Sequence, residues 1–173
     1  TPETLKMLQE GVIDFGVIST PIQRRMDFKF RKVRDIQDIF VAGKKFAYLA
    51  DRKLNYKDLE TLPVMCLEGN TSTRAYVEGF LRENGVHLQP EFELATSDML
   101  IRFAMRGFGI AGVAEDFALE AMEKGEIFRL HFDREIPKRH FCIVTDEKVP
   151  MTAAARRFLD LLEDKCTPDK HKS

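Results

Sequence analysis

Phe92–Ala121, FELATSDMLIRFAMRGFGIAGVAEDFALEA, is the stretch whose reading decides the fold. Phe92 to Ala95 reads as a short strand, and Thr96, Ser97 and Asp98 follow it. Those three residue types satisfy the free backbone N–H groups at the start of a helix. Met99 to Met105 is apolar on nearly every side, as expected of a helix buried between layers. Gly107 suits the left-handed position that closes a helix. Gly109 to Val113 is a strand of small residues that another backbone or a ligand could approach closely. A further helix follows it. The order strand, cap, helix, glycine, strand, helix belongs to an α/β domain with a helix N-terminus open to a small polar or anionic ligand.

Working outward, the same alternation runs through the chain. Thr4 to Glu10 reads as a helix closed by Gly11, and Val12 to Ile18 as a strand. Phe28 to Val33 and Ile39 to Ala42 read as strands. Asn55 can cap a short helix, Tyr56 to Leu62, ended by Pro63. Val64 to Leu67 is a buried strand, and a helix follows from about Ser72 to Glu83, with Gly85 beyond its end. Gly125 turns the chain into the strand Ile127 to Leu130. Arg139 to Val144 is another strand, and Thr152 caps a last helix with the stripe Ala155, Phe158, Leu161, Leu162.

Strands alternating with helices at this spacing predict an α/β layered fold with a largely parallel sheet. Polar stretches near Leu62–Pro63 and at Asp133 to Lys138 are the expected crossings between two lobes. Residues 1–62 with 136–164 then form a first lobe, 63–135 a second, and 165–173 a polar tail. A cleft between two such lobes is a common ligand site.

The 173 residues suffice to bury about two-thirds of the unfolded surface. Lys and Arg total 27 against 28 Asp and Glu, so no global field draws this chain to nucleic acid. No apolar run reaches the roughly 18 residues of a membrane span. Cys66, Cys142 and Cys166 lack metal or disulfide spacing. Cys66 and Cys142 sit in apolar runs and read as buried reduced thiols; a redox-sensing pair is the alternative. The compartment expected from that usage is the cytosol.

Glu68-Gly-Asn-Thr71-Ser72-Thr73-Arg74 lies between a strand and a helix. Its glycine and three hydroxyls could cradle a carboxylate or sulfate with the helix dipole. Equally, Thr71 or Ser72 could simply cap the helix. Thr96 and Ser97 carry the same two readings. Gln23 to Asp35 holds six basic residues alternating with Phe28 and Phe30, which reads as a half-exposed strand rather than a nucleic-acid patch. Lys44 and Lys45 read as exposed, and Ser19-Thr20-Pro21 as a turn at a strand end. The four histidines are scattered without metal-ligand spacing. No Ser-His-Asp set, HExxH, phosphate loop or dinucleotide fingerprint is present. An enzyme on this fold would have to rely on His131, His140 and Asp98.

Five segments, in order, resemble the effector-binding domain of LysR-type transcriptional regulators. They are LKMLQEGVIDFGV (5–17), NYKDLETLP (55–63), Asn70–Arg74 with Phe80–Gly85, MRGFGIAGV (105–113) and TAAARRFLDLL (152–162). The resemblance implies the two-lobed fold of type 2 periplasmic binding proteins. It also implies a small, anionic effector, no cofactor, and a dimer or tetramer of the intact regulator. DNA contact would come only through a winged helix-turn-helix upstream of Thr1. The family's ligand positions fall on Thr96 with Ser97, on Asn70, Thr71 and Ser72, and on Gly43, where only backbone contact remains. Where the family has a Pro after the strand at 109–113, this chain has Ala114 and Glu115. A free-standing solute-binding protein of the same fold is the rival reading.

Overall fold

The computed structural model describes residues 2–21 and 28–166, and in it the chain forms two compact units. One comprises the segments up to Asp35 and from Arg139 onward; the other is Ile36–Lys138. The first boundary therefore lies at Asp35/Ile36, not near Leu62–Pro63. The reason is a strand, Asp38–Gly43, that is buried at every position inside the sheet of the second unit. The second boundary falls at Lys138/Arg139.

In the first unit, α1 (Pro2–Gln9) precedes β1 (Phe15–Ser19) and β2 (Phe28–Ile36). After the chain returns, it adds a long strand, Arg139–Asp146, and a final helix, Ala153–Cys166. The long strand lies between β1 and β2 and runs antiparallel to β1. Leu8, Ile18, Cys142 and Val144 form this unit's core, with Phe28 and Phe30 packed against it. Lys29 and Lys32 point outward to Glu147 (3.2 Å) and Asp35 (2.5 Å), so β2 is a half-exposed strand. Arg24 and Arg25 of the basic run lie outside the described residues.

The second unit holds β3 (Asp38–Gly43), β4 (Lys53–Leu54), β5 (Val64–Leu67), α2 (Ser72–Glu83), β6 (Phe92–Leu94), α3 (Ser97–Met105), β7 (Ile110–Ala114), α4 (Glu115–Glu123), β8 (Ile127–Arg129) and β9 (His131–Phe132). The long returning strand is then β10 and the last helix α5. Five strands make one sheet in the order β6-β5-β7-β3-β8, while β4 and β9 form a short parallel pair. The β5–β6 and β5–β7 ladders are parallel, but β3 runs antiparallel to both β7 and β8. The sheet is thus mixed, where alternation of strand and helix predicted a largely parallel one. Antiparallel entry is possible because the chain goes from β2 through Gln37 directly into β3, with no crossover helix.

Side-chain alternation divides the sheet between two cores. Phe40, Ala42, Val64, Cys66 and Ile110 face α2 and the 46–59 segment. Ile39, Val41, Met65, Leu67, Ala111 and Val113 face α3 and α4. Helix α3 buries Leu100, Ile101 and Ala104, but Met99 and Met105 are exposed on its outer side. It covers one face of the sheet rather than lying between layers. Phe92, Phe103 and Phe108 cluster at the β6 edge, Phe92 meeting both other rings edge-on, with ring centroids 5.1–6.4 Å apart.

Helices α1 to α4 share one ending. Gly11, Gly85, Gly107 and Gly125 all have φ near +70°. At Gly107 the amides of Gly107 and Phe108 donate to Ala104 O and Phe103 O, the paired bonds of a Schellman motif. Asn55 closes a capping box with Asp58 ahead of the 3₁₀ turn Tyr56–Glu60.

Two alanine substitutions separate the glycines that are needed from those that are not. A Cβ on Gly43 would lie 2.1 Å from the Ala104 carbonyl oxygen, and backbone cannot yield as a side chain would. Gly43→Ala should cost about 2 kcal/mol or more in urea unfolding. Gly79, inside α2, has open space around it, so Gly79→Ala should stabilise by about 0.5–1 kcal/mol.

Candidate functional site

The second unit places three strand-to-helix turns at one edge of its sheet. Because β5, β6 and β7 run in one direction, α2, α3 and α4 all begin at their carboxyl ends. Leu67 and Leu94, the last residues of β5 and β6, are paired neighbours, and Glu68 N donates to Leu94 O at 3.1 Å. The turns 68–71 and 95–96 therefore start side by side. Thr71–Ser72 and Thr96–Ser97 thus follow the carboxyl ends of neighbouring strands, at one edge of the sheet and leading into helices on its two faces. Both ends of the unit lie at this edge too: Asp38 pairs with Ala114, and the Gln37 side-chain amide donates to Ile136 O at 2.8 Å.

The capping hydroxyls are engaged in this structure. Thr71 Oγ1 accepts from Arg74 N at 3.2 Å and donates to Glu68 O at 3.1 Å. Thr96 Oγ1 accepts from Met99 N at 3.3 Å. Both threonines are N-caps. Ser72 is exposed, Ser97 half-exposed, and Asn70 lies in the exposed turn before Thr71. The three helix starts differ in charge. The first turn of α2 carries no acid, that of α3 carries Asp98, and that of α4 carries Glu115 and Asp116 with no side-chain cap. The α2 end is the most favourable to an anion and the α4 end the least.

Gly43 is not part of this group. β3 is antiparallel to β7, so its carboxyl end sits at the opposite edge of the sheet, where Gly43 packs against the Ala104–Met105 backbone. The close approach expected along 109–113 is likewise made by protein. A Cβ on Gly109 would lie 2.5 Å from Pro63 O, and one on Gly112 would lie 3.1 Å from the Phe40 ring.

In the sequence Arg74 is distinguished only as the last residue of the 68–74 motif. Its side chain is 7% exposed. It donates through Nη1 to Leu67 O at 2.8 Å and approaches Glu93 on β6 at 3.2 Å. Its burial, the feature that sets it apart, follows from its position three residues before Val77 and seven before Leu81 on the inward face of α2.

The titratable groups weighed for catalysis have separate surroundings. His140 Nδ1 lies 2.6 Å from Asp35 Oδ1, while His131 is exposed on β9 and Asp98 is exposed at the start of α3. Lys32 and then His140 hold the Asp35 carboxyl below the usual range. Thr20 is tied to β10: its amide donates to His140 O, and its Oγ1 accepts from the His140 amide, both at 2.8 Å. Burial pushes the Cys66 thiol up to about 11 and raises Cys142 as well, which disfavours the reactive thiolate in both. Among the described residues no group of three or more His, Cys, Asp or Glu could hold a metal ion. No described helix is long and apolar enough to cross a membrane.

A concavity lies beside the returning segment, lined by Phe40, Tyr56, Arg129, Phe132 and Ile136 among others. Tyr56 stacks on Phe132 (4.3 Å, 4°) and donates to Arg134 O at 2.9 Å. Burial, followed by the charge of Glu135, pushes the Tyr56 phenol up to about 12 from its ordinary value of 10.0. Folding thus favours the protonated phenol: its contribution is intact below pH 10 and is lost as pH rises toward 12. The urea midpoint should fall over that window, and the fall should be shallower in Tyr56→Phe, which itself costs about 1 kcal/mol through the lost hydrogen bond.

Comparison with known proteins agrees with this architecture. The regulatory domain of CcmR from Synechocystis PCC6803, solved with 2-PG, superposes with a TM-score of 0.82 at 16% identity, over 96% of this chain and 80% of that one. The effector-binding domain of QuiR, solved with shikimate, gives 0.78 at 10% identity, over 96% and 78%. The apo regulatory domain of HypT from Salmonella typhimurium gives 0.75 at 17%, over 95% and 78%. No curated protein matches the sequence significantly. The family model for the LysR substrate binding domain matches residues 1–167, and the chain belongs to that family: it is the effector-binding regulatory domain of a LysR-type regulator.

Proposed function

We propose that this domain binds a small anionic metabolite at the edge where α2 and α3 begin, and so controls DNA binding by the intact regulator. The observation that supports the reading is the pairing of Leu67 with Leu94, from which two capped helices start at one edge of the sheet. Their dipoles reinforce one another there, and the amides and hydroxyls of Ser72 and Ser97 supply donors. Asn70, Thr71 and Thr96 complete the set: Asn70 as a further donor, and the two threonines by holding the helix ends in shape. Gly43 is left out, since it sits at the far edge. Two structural neighbours were solved with 2-PG and with shikimate, which supports a ligand of comparable size.

The mode of action is binding rather than catalysis, in a cytoplasmic protein. An effector with unequal affinity for two arrangements of the regulator shifts their populations by that difference. The intact regulator acts as a dimer or tetramer and meets DNA through a separate helix-turn-helix.

A thermal-shift screen of this chain against carboxylates, amino acids, sulfate and aromatic acids tests the reading. A ligand of the folded state should add about 2.7 kcal/mol at a hundredfold excess over its Kd. Thr96→Val should weaken that hit about tenfold while removing about 1 kcal/mol of capping, so the domain stays folded. A hit bound equally well by Thr96→Val would place the effector elsewhere.

A further inference from the structure

Arg74 is a buried cation that the proposed site does not itself use. Buried charge is costly unless paired, and an apolar side chain would ordinarily stabilise such a position as well or better. The pattern of its partners explains the guanidinium. Nη1 holds Leu67 O, the end of β5; Nη2 lies 3.2 Å from Glu93 Oε1 on β6. Nε sits 2.7 Å from Glu78 Oε1, one turn further along α2, though its N–H is not aligned as a hydrogen bond. Arg74 N is meanwhile held by Thr71 Oγ1. One residue thus joins the strand before α2, the body of α2, and the strand that leads to α3.

We infer that Arg74 is a positioning residue for effector recognition: it fixes the α2 N-terminus against β6 and so sets its spacing from the α3 N-terminus. The inference rests on the binding site proposed above. Only a planar, multiply bonded cation can impose this geometry. An apolar replacement would fill the space and leave the 68–73 turn without its tie to Glu93 and Leu67.

The test uses ¹⁵N-labelled protein titrated in turn with sulfate, phosphate and acetate, well below the unfolding midpoint, reading the amides of Ser72 and Ser97. Under those conditions the native state is fully populated, so a purely structural role would leave affinity unchanged. In wild type both amides should move with one shared affinity. Arg74→Met should fold cooperatively yet bind about tenfold or more weakly, because sites tolerate displacements of only about 0.5 Å. Arg74→Lys should recover part of the loss, and Glu93→Gln should fall between. Wild-type affinity in Arg74→Met overturns the inference. Should Arg74→Met fail to fold, Glu93→Gln decides, since it loosens the tie to β6 and leaves the Leu67 and Glu78 contacts; unchanged affinity there overturns it as well. Absence of any response at these amides in wild type overturns the binding site and the inference together, whereas failure of the variants alone overturns only the inference.

Discussion

The parallel pairing of β5 with β6, Leu67 beside Leu94, is the constraint on which the rest of the second unit depends. Two strands that run the same way must send their following segments off the same edge. A helix that follows each strand at once then begins at that edge, with its unsatisfied N–H groups and positive dipole end exposed there. Parallel pairing also requires both faces of the sheet to be covered. The two cores supply that cover, with Val64 and Cys66 on one face and Met65 and Leu67 on the other. The candidate site and the core thus both follow from the course of β5.

What differentiates the three helix starts is local charge and capping. Helix α4 begins with Glu115 and Asp116, and Arg129 bridges Glu115 and Glu135 at 2.9 and 2.5 Å. Its dipole is therefore already answered by carboxylates of the chain itself. Helix α2 begins with hydroxyls and an inward arginine, and α3 with two hydroxyls and one exposed acid. An incoming anion thus meets the least competition at α2 and somewhat more at α3. The threonine hydroxyls, occupied as caps, shape these ends more than they contact a ligand.

Much of this was legible in the residues. The strand 64–67, the helix 72–83 and the caps Asn55, Thr71 and Thr96 follow from hydrophobic period and capping chemistry, which act within a few residues of one another. Gly11, Gly85 and Gly107 were readable as helix ends for the same reason. Strand direction was not. Nothing in DIFVAG reports that β3 runs against β7, and with that went both the first unit boundary and the placing of Gly43 at the site. Helix α3 was expected to be buried all round because its composition is apolar, yet exposed Met99 and Met105 show that composition cannot tell a core face from an open one.

The sequence by itself determined most of the longer strands and helices, the glycines that close several of the helices, and the family that the pattern resembles. Those properties depend on dihedral preferences and hydrogen bonds between near neighbours. Only the tertiary structure decided that Thr71–Ser72 and Thr96–Ser97 share an edge, that Gly43 lies away from them, and that Arg74 reaches β5 and β6 at once. Those depend on strand order and register, which are set by packing between residues tens of positions apart. No local pattern carries that information.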